Sequence, residues 1–212
     1  MDSGLRNRLL TITAFISVLL GLLVASMVTL RSKTIEEMQQ IGLYRFDQPR
    51  EISEFSMVDH LGDEVGLSAV RGKWTLVFFG FTTCPDICPT TLGVLSEAVL
   101  DLHKPPQVIM VTVDQERDTP ERLRNYVLAF HPDFRGFVGS VDETARLAEQ
   151  LNVAFSKTPG DQPGTYLMAH TSSIILIDPE ARYAGFIKAP HRVQHIQRVL
   201  QSILCPINKL LV

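Results

Sequence analysis

The feature that most limits this chain is a strand that runs straight into a cysteine pair at the start of a helix. Trp74–Phe81 (WTLVFFGF) is a run of aromatic and β-branched residues. Such a run reads as a strand buried on both faces. It breaks at Thr82-Thr83-Cys84-Pro85-Asp86-Ile87-Cys88-Pro89, and beyond it Leu92, Leu95, Val99 and Leu102 recur at helical spacing. A doubly buried strand needs helices on both sides of its sheet, and the chain supplies them. Gln107–Val113 (QVIMVTV) and Phe134–Gly139 read as further strands. Thr119 caps a helix with Pro120 in its first position, and Asp142 caps another over 143–151. Ser173–Ile177 and Tyr183–Ile187 form a hairpin about Asp178-Pro179-Glu180, and Val193–Leu204 closes as an amphipathic helix. The class is α/β, with a thioredoxin-like mixed sheet flanked by helices.

The two cysteines carry the chemistry. Cys84 and Cys88 stand at i and i+4, which turns both sulfurs to one side of a helical turn. Unpaired N–H groups and the helix dipole at that end favour thiolate over thiol. Two adjacent thiolates suit Cu(I) or Zn(II), and they can also close a disulfide. The fragment by itself permits both. With three cysteines in 212 residues the chain is no disulfide-stapled mini-fold. Its balance of 20 Lys+Arg against 23 Asp+Glu leaves no basic field for a nucleic acid.

The N-terminus adds a second element. Leu9–Leu30 is 22 residues without a charge, long enough to span a bilayer. Val24-Ala25-Ser26 offers a cleavage point for a signal peptide, but the run exceeds the 7–15 residues of a signal core. The expected organisation is a cytoplasmic tail over 1–8, an anchor over 9–30, a polar tether over 31–50 and the folded domain over 51–212. The basic N-terminal tail is too short for a transit peptide, which favours a bacterial inner membrane with the domain on its outer, periplasmic side.

GFTTCPDICP, then VTVDQERDTPERL, then YLMAHTSSIILIDPEARY resembles the Sco/SenC family of copper-binding proteins. The resemblance covers about residues 51–204. It implies that Cys84, Cys88 and His170 hold one copper ion. It further implies delivery of copper to the dinuclear centre of cytochrome c oxidase subunit II, with thiol–disulfide reduction by Cys84 and Cys88 as the alternative activity. The family block commonly has proline where this chain has Gln115. Where thioredoxin-like redox proteins place a cis-proline, this chain has Met168-Ala169-His170-Thr171, so a ligand stands where a peptide-docking turn would be. A peroxidase, suggested by Thr82-Thr83-Cys84, has no use for a second cysteine four residues on.

Other residues weigh less. Asp114 reads equally as an outer-shell or docking residue and as a loop-capping acid. Asp118 reads as part of the following helix cap, and Tyr166 as packing beneath the site. The Gly- and Pro-rich stretch 156–169 reads as a mobile excursion that lets His170 swing on and off the metal. Met168 reads as a gap-filling residue, Trp74 as core, and His191 with His195 as a solvated helix face. Cys205 stands as an odd thiol.

Overall fold

The computed structural model describes residues 3–160 and 165–204, with side chains throughout except at 3, 5–11 and 28–34. Cys205 lies outside the described residues. The chain divides into two units, Met1–Ile41 and Gly42–Val212. The first is one helix, α1, over Ser3–Gln40. Phe15, Leu20 and Leu22 on it are exposed. Among the described residues no helix is long and apolar enough to cross a membrane. The helix runs past Leu30 through Glu36, Glu37, Met38 and Gln39, all good helix formers.

The second unit begins earlier than expected. Residues 43–50, expected as the end of a tether, belong to strand β1 (Leu43–Glu51). Its polar composition hides an alternation that buries Leu43 and sets two rings against the sheet. Tyr44 stacks on Phe186 at 5.2 Å, and Phe46 meets Tyr183 edge-on at 4.8 Å. The remaining elements follow in chain order. β2 (Met57–Asp59) and β3 (Glu64–Val65) form a short hairpin, then come β4 (Thr75–Gly80), α2 (Ile87–Val99), β5 (Gln107–Thr112), α3 (Pro120–Leu128), β6 (Arg135–Val138) and α4 (Val141–Gln150). After these stand β7 (Phe155–Pro159), β8 (Tyr166–His170), β9 (Ile174–Ile177), β10 (Arg182–Ile187) and α5 (Val193–Leu204).

Eight strands make one sheet in the order β1-β10-β9-β4-β5-β6-β2-β3, while β7 and β8 make a separate ribbon. β4 runs parallel to β5 and β5 to β6; β9 lies antiparallel on the other side of β4. This is the mixed thioredoxin-like sheet expected. Every residue of β4, β5 and β9 is buried, because helices cover both faces of the sheet's centre. α2 packs on α5, and α3 on β6.

Two caps differ in an instructive way. Thr119 caps α3 as expected, its hydroxyl accepting from the Arg122 N–H. α4 is capped by Ser140 rather than Asp142; Asp142 and Glu143 then occupy the first turn, where the dipole favours acids. Trp74, expected in the core, is half-buried, with the Arg45 guanidinium 5.8 Å from its ring. The Gly- and Pro-rich excursion is for the most part ordered pairing: Phe155 faces His170, and Pro159 faces Tyr166.

Candidate metal centre

The cysteine pair sits where the doubly buried β4 ends. Gly80 closes that strand, and its lack of a side chain is required. A Cβ there would lie 3.1 Å from Cys88 Sγ and 2.9 Å from Phe78 Cε1. The chain then turns through Thr82–Asp86 into α2. Asp86 stands at the cap position without a side-chain cap bond; the Cys84 sulfur takes that role instead, accepting from the Cys88 N–H at 3.4 Å. A sulfur held at the positive end of a helix is stabilised as thiolate. Both thiols are free, Cys84 half-buried and Cys88 fully buried.

This geometry separates the two sulfurs electrically. A hydrogen bond from Cys88 holds the Cys84 thiol down to about 4, with burial opposing and the His170 ring and backbone N–H groups of Asp86 and Cys88 helping. Cys88 moves the opposite way, because its proton is held toward Cys84 and its surroundings are apolar. The two shifts are opposed, so the pair loses its first proton more easily than an ordinary thiol does, and the charge favours Cys84.

His170 arrives from a different part of the chain. It is the last residue of β8, and its ring lies edge-on to Phe78 at 5.7 Å and to Phe81 at 5.9 Å. Its Nδ1 stands 3.1 Å from the Thr171 carbonyl oxygen. A carbonyl only accepts, so Nδ1 donates to it, which leaves Nε2 as the ring nitrogen that can face a metal. Nε2 lies 3.5 Å from Cys88 Sγ. The ligand atoms of Cys84, Cys88 and His170 all fall within 4.8 Å of one another, close enough to share one ion. Two sulfurs and an imidazole nitrogen form a soft to borderline donor set that fits copper.

Asp118 does not serve the α3 cap. Its buried carboxylate turns back to accept from the Thr82 N–H at 2.9 Å, the Thr82 hydroxyl at 2.5 Å and the Thr112 hydroxyl at 2.7 Å. Arg122 Nε donates to the same Thr82 hydroxyl at 2.9 Å. The cysteine loop is thus pinned two residues before Cys84. Asp114 lies two residues beyond β5, and its carboxylate accepts from the Tyr166 hydroxyl at 2.7 Å and pairs with Arg117. Gln115, where the family commonly has proline, donates through Nε2 to the Thr112 carbonyl at 3.2 Å and to the Thr144 hydroxyl at 2.8 Å, tying this turn to α4. Met168 is half-buried between Tyr166 and His170 in β8 and shares their face of the strand.

His191 and His195 are not a solvated helix face. Both are half-buried, and His191 precedes α5 with its Nε2 2.9 Å from the Ser172 carbonyl. Gly80, Arg117 and the fixing of Thr82 by Asp118 escaped the sequence analysis. Only Gly80 left a signal, as an isolated glycine in a strand of large residues.

Comparison with known proteins agrees with this geometry. A Stutzerimonas stutzeri protein named for copper binding is 31% identical over 174 residues, 79% of this chain and 83% of that protein. The copper-bound structure of Arabidopsis thaliana ScoI superposes with a TM-score of 0.68 at 31% identity, covering 72% of this chain and 96% of that one. A disulfide-switching Sco protein, described as a member of the Sco family of cytochrome c oxidase assembly proteins, shares the fold at a TM-score of 0.58 and 21% identity, covering 76% and 95%. The SCO1/SenC family model matches residues 45–205, a span that takes in β4, the cysteine loop, the Asp114–Asp118 turn and the histidine ribbon, and the chain belongs to that family.

Proposed function

We propose that this chain is a copper metallochaperone for cytochrome c oxidase, taking up one copper ion through Cys84, Cys88 and His170 and passing it to the dinuclear centre of subunit II. The observation that carries the proposal is the convergence of three donors within 4.8 Å from two distant stretches of chain. The copper-bound state of a relative at 31% identity supports it.

The arrangement suits uptake and release. Cys84 is already a thiolate, so the first bond to copper requires no deprotonation. Cys88 yields its proton as the metal arrives, and His170 Nε2 supplies the third donor. Three ligands leave one side of the ion open, and an incoming sulfur or nitrogen of the acceptor can bind there before any of the three lets go. The membrane part of the proposal is a single-pass anchor over 9–30 in a bacterial inner membrane, with the domain on the outer side. The uncharged run of 22 residues and the exposed apolar side chains of α1 support it.

The low Cys84 value favours a second reading, thiol–disulfide reduction. The Cys84 thiolate would attack a substrate disulfide, expelling one substrate thiolate and forming a mixed disulfide. Cys88 would then lose its proton and attack Cys84 Sγ, releasing the second substrate thiol. Two electrons pass from the protein dithiol to the substrate.

Titration of the reduced full-length chain with copper under anaerobic conditions separates the two. Chaperone chemistry predicts a sulfur-to-Cu(II) charge-transfer band that disappears in Cys84→Ala and in Cys88→Ala, and much weaker Cu(II) binding in His170→Ala. Unchanged copper binding in His170→Ala, with disulfide exchange intact, would leave the reductase as the better account.

A further inference from the structure

The ribbon that carries His170 shares no ladder with the large sheet. Besides the packing of His170 on Phe78 and Phe81, a group of its ties to the body of the domain converges on the turn after β5. Tyr166 Oη donates to Asp114 Oδ1 at 2.7 Å. Arg117 pairs with the same carboxylate through Nε, and its Nη1 donates to the Tyr166 carbonyl at 3.2 Å. The Arg117 guanidinium lies 4.0 Å from the centre of the Tyr166 ring, and the Lys157 ammonium lies 3.9 Å from it. Lys157, on β7, also bonds both oxygens of Glu116 at 2.7 and 2.8 Å. Both strands of the ribbon are therefore held by Asp114, Glu116 and Arg117. The Asp114 side chain is 1% exposed, so its charge is sheltered and depends on Arg117 and Tyr166 for partners.

Tyr166 and His170 project from the same face of β8, four residues apart, a lever of about 13 Å. Anchoring the ribbon at Tyr166 bears on where the strand places the imidazole, together with the Phe78 and Phe81 rings that flank it. Two thiolates are a sufficient soft set for Cu(I), whereas Cu(II) depends on the nitrogen donor.

We infer that the Asp114–Arg117 turn is a clasp that seats His170 over the cysteine pair, so that Asp114, Arg117 and Tyr166 are positioning residues that set the preference of the site between Cu(II) and Cu(I). The inference rests on the copper-binding reading above. With the clasp closed the ion has three donors. With it open the ion stays on two sulfurs, a state that holds Cu(I) and presents it to an acceptor. Salt screens the clasp's exposed arm, the Lys157–Glu116 pair, and acts much less on the sheltered Asp114.

The test measures Cu(II) and Cu(I) affinities of the reduced full-length chain by competition with chelators for each ion. The variants are Tyr166→Phe, which keeps the ring and removes only the hydroxyl, His170→Ala, and the double variant. Tyr166→Phe is expected to weaken Cu(II) about tenfold, in the range usual for partners behind a ligand, and to change Cu(I) less than about twofold. Combined with His170→Ala it should add nothing, because a positioning group has no effect once the ligand is gone. Asp114→Asn should behave like Tyr166→Phe, and Arg117→Lys should fall between Arg117→Gln and wild type. Wild-type Cu(II) affinity in Tyr166→Phe, equal losses for both ions, or full additivity with His170→Ala would each overturn the clasp while leaving the copper site standing. A wild-type chain that binds no copper would remove both.

Discussion

The cysteine half and the histidine half of this metal centre rest on different foundations. Cys84 and Cys88 follow β4, a strand buried along its whole length between β5 and β9. The loop before them is pinned at Thr82 by two hydrogen bonds to Asp118, whose carboxylate also accepts from Thr112 of β5, and the Cys84 sulfur is built into the start of α2. His170 sits at the end of a two-stranded ribbon with alternately exposed residues, held to the domain by a phenol, a guanidinium, an exposed lysine and the packing of its own ring on Phe78 and Phe81. An isolated pair of strands is marginal by itself. A metallochaperone of the kind proposed above must hold its metal and also give it up. The fold places the sulfurs just beyond a fully buried strand and the nitrogen on a partly exposed ribbon.

Three measurements can break or sharpen that contrast. The largest effect concerns Cys84. Its folded-state pKa lies below that of an ordinary thiol, so the thiolate is present at neutral pH and disappears only as pH falls through about 4. At pH 6 its thiolate fraction should exceed that of an unperturbed cysteine by roughly three-hundredfold. Alkylation of Cys84, followed by peptide mapping, should therefore stay near its plateau down to about pH 5. Much of this should survive in His170→Ala, because Cys88 is the chief cause. A rate that climbs tenfold per pH unit up to pH 8 would mean that the rigid half is not preset.

Hydrogen exchange gives the next largest effect. Amides of Leu76–Phe79 and Val108–Val111 should exchange only on global unfolding, while those of β7 and β8 should exchange at least about a hundredfold faster through local opening. Equal protection in the ribbon and the sheet would erase the distinction. The smallest effect is the stability cost of Asp118→Asn. An amide cannot accept both the Thr82 N–H and the two hydroxyl bonds as the carboxylate does, and the side chain is buried. The substitution should cost about 1–3 kcal/mol in urea unfolding. No loss would show that the loop holds its shape without that anchor.

What the sequence revealed follows from how far apart the relevant residues lie. Cys84 and Cys88 are neighbours, and the strand before them and the helix after them are written in local periodicity. Thr119 and Pro120 announce the start of α3 in the same local way, as the structure bears out. His170 stands 82 positions from Cys88, and it entered through family resemblance rather than through any local signal. Asp118 was misread because an acid beside Thr119-Pro120 looks like a cap. Its partners, Thr82 and Thr112, come together only when β4 and β5 lie side by side. Residues 43–50 looked like a tether because their composition is polar, yet an edge strand needs only one apolar face.

The amino-acid sequence by itself determined the class of sheet, the place of the thiol pair and the direction of its reactivity, since each depends on interactions within a few residues. The meeting of Tyr166 with Asp114, the need for Gly80 to be bare, the use of the Cys84 sulfur as a helix cap and the separateness of the histidine ribbon were decided by the tertiary structure. Each is a contact between surfaces or a choice among competing donors, and such contacts exist only after the chain has closed on itself.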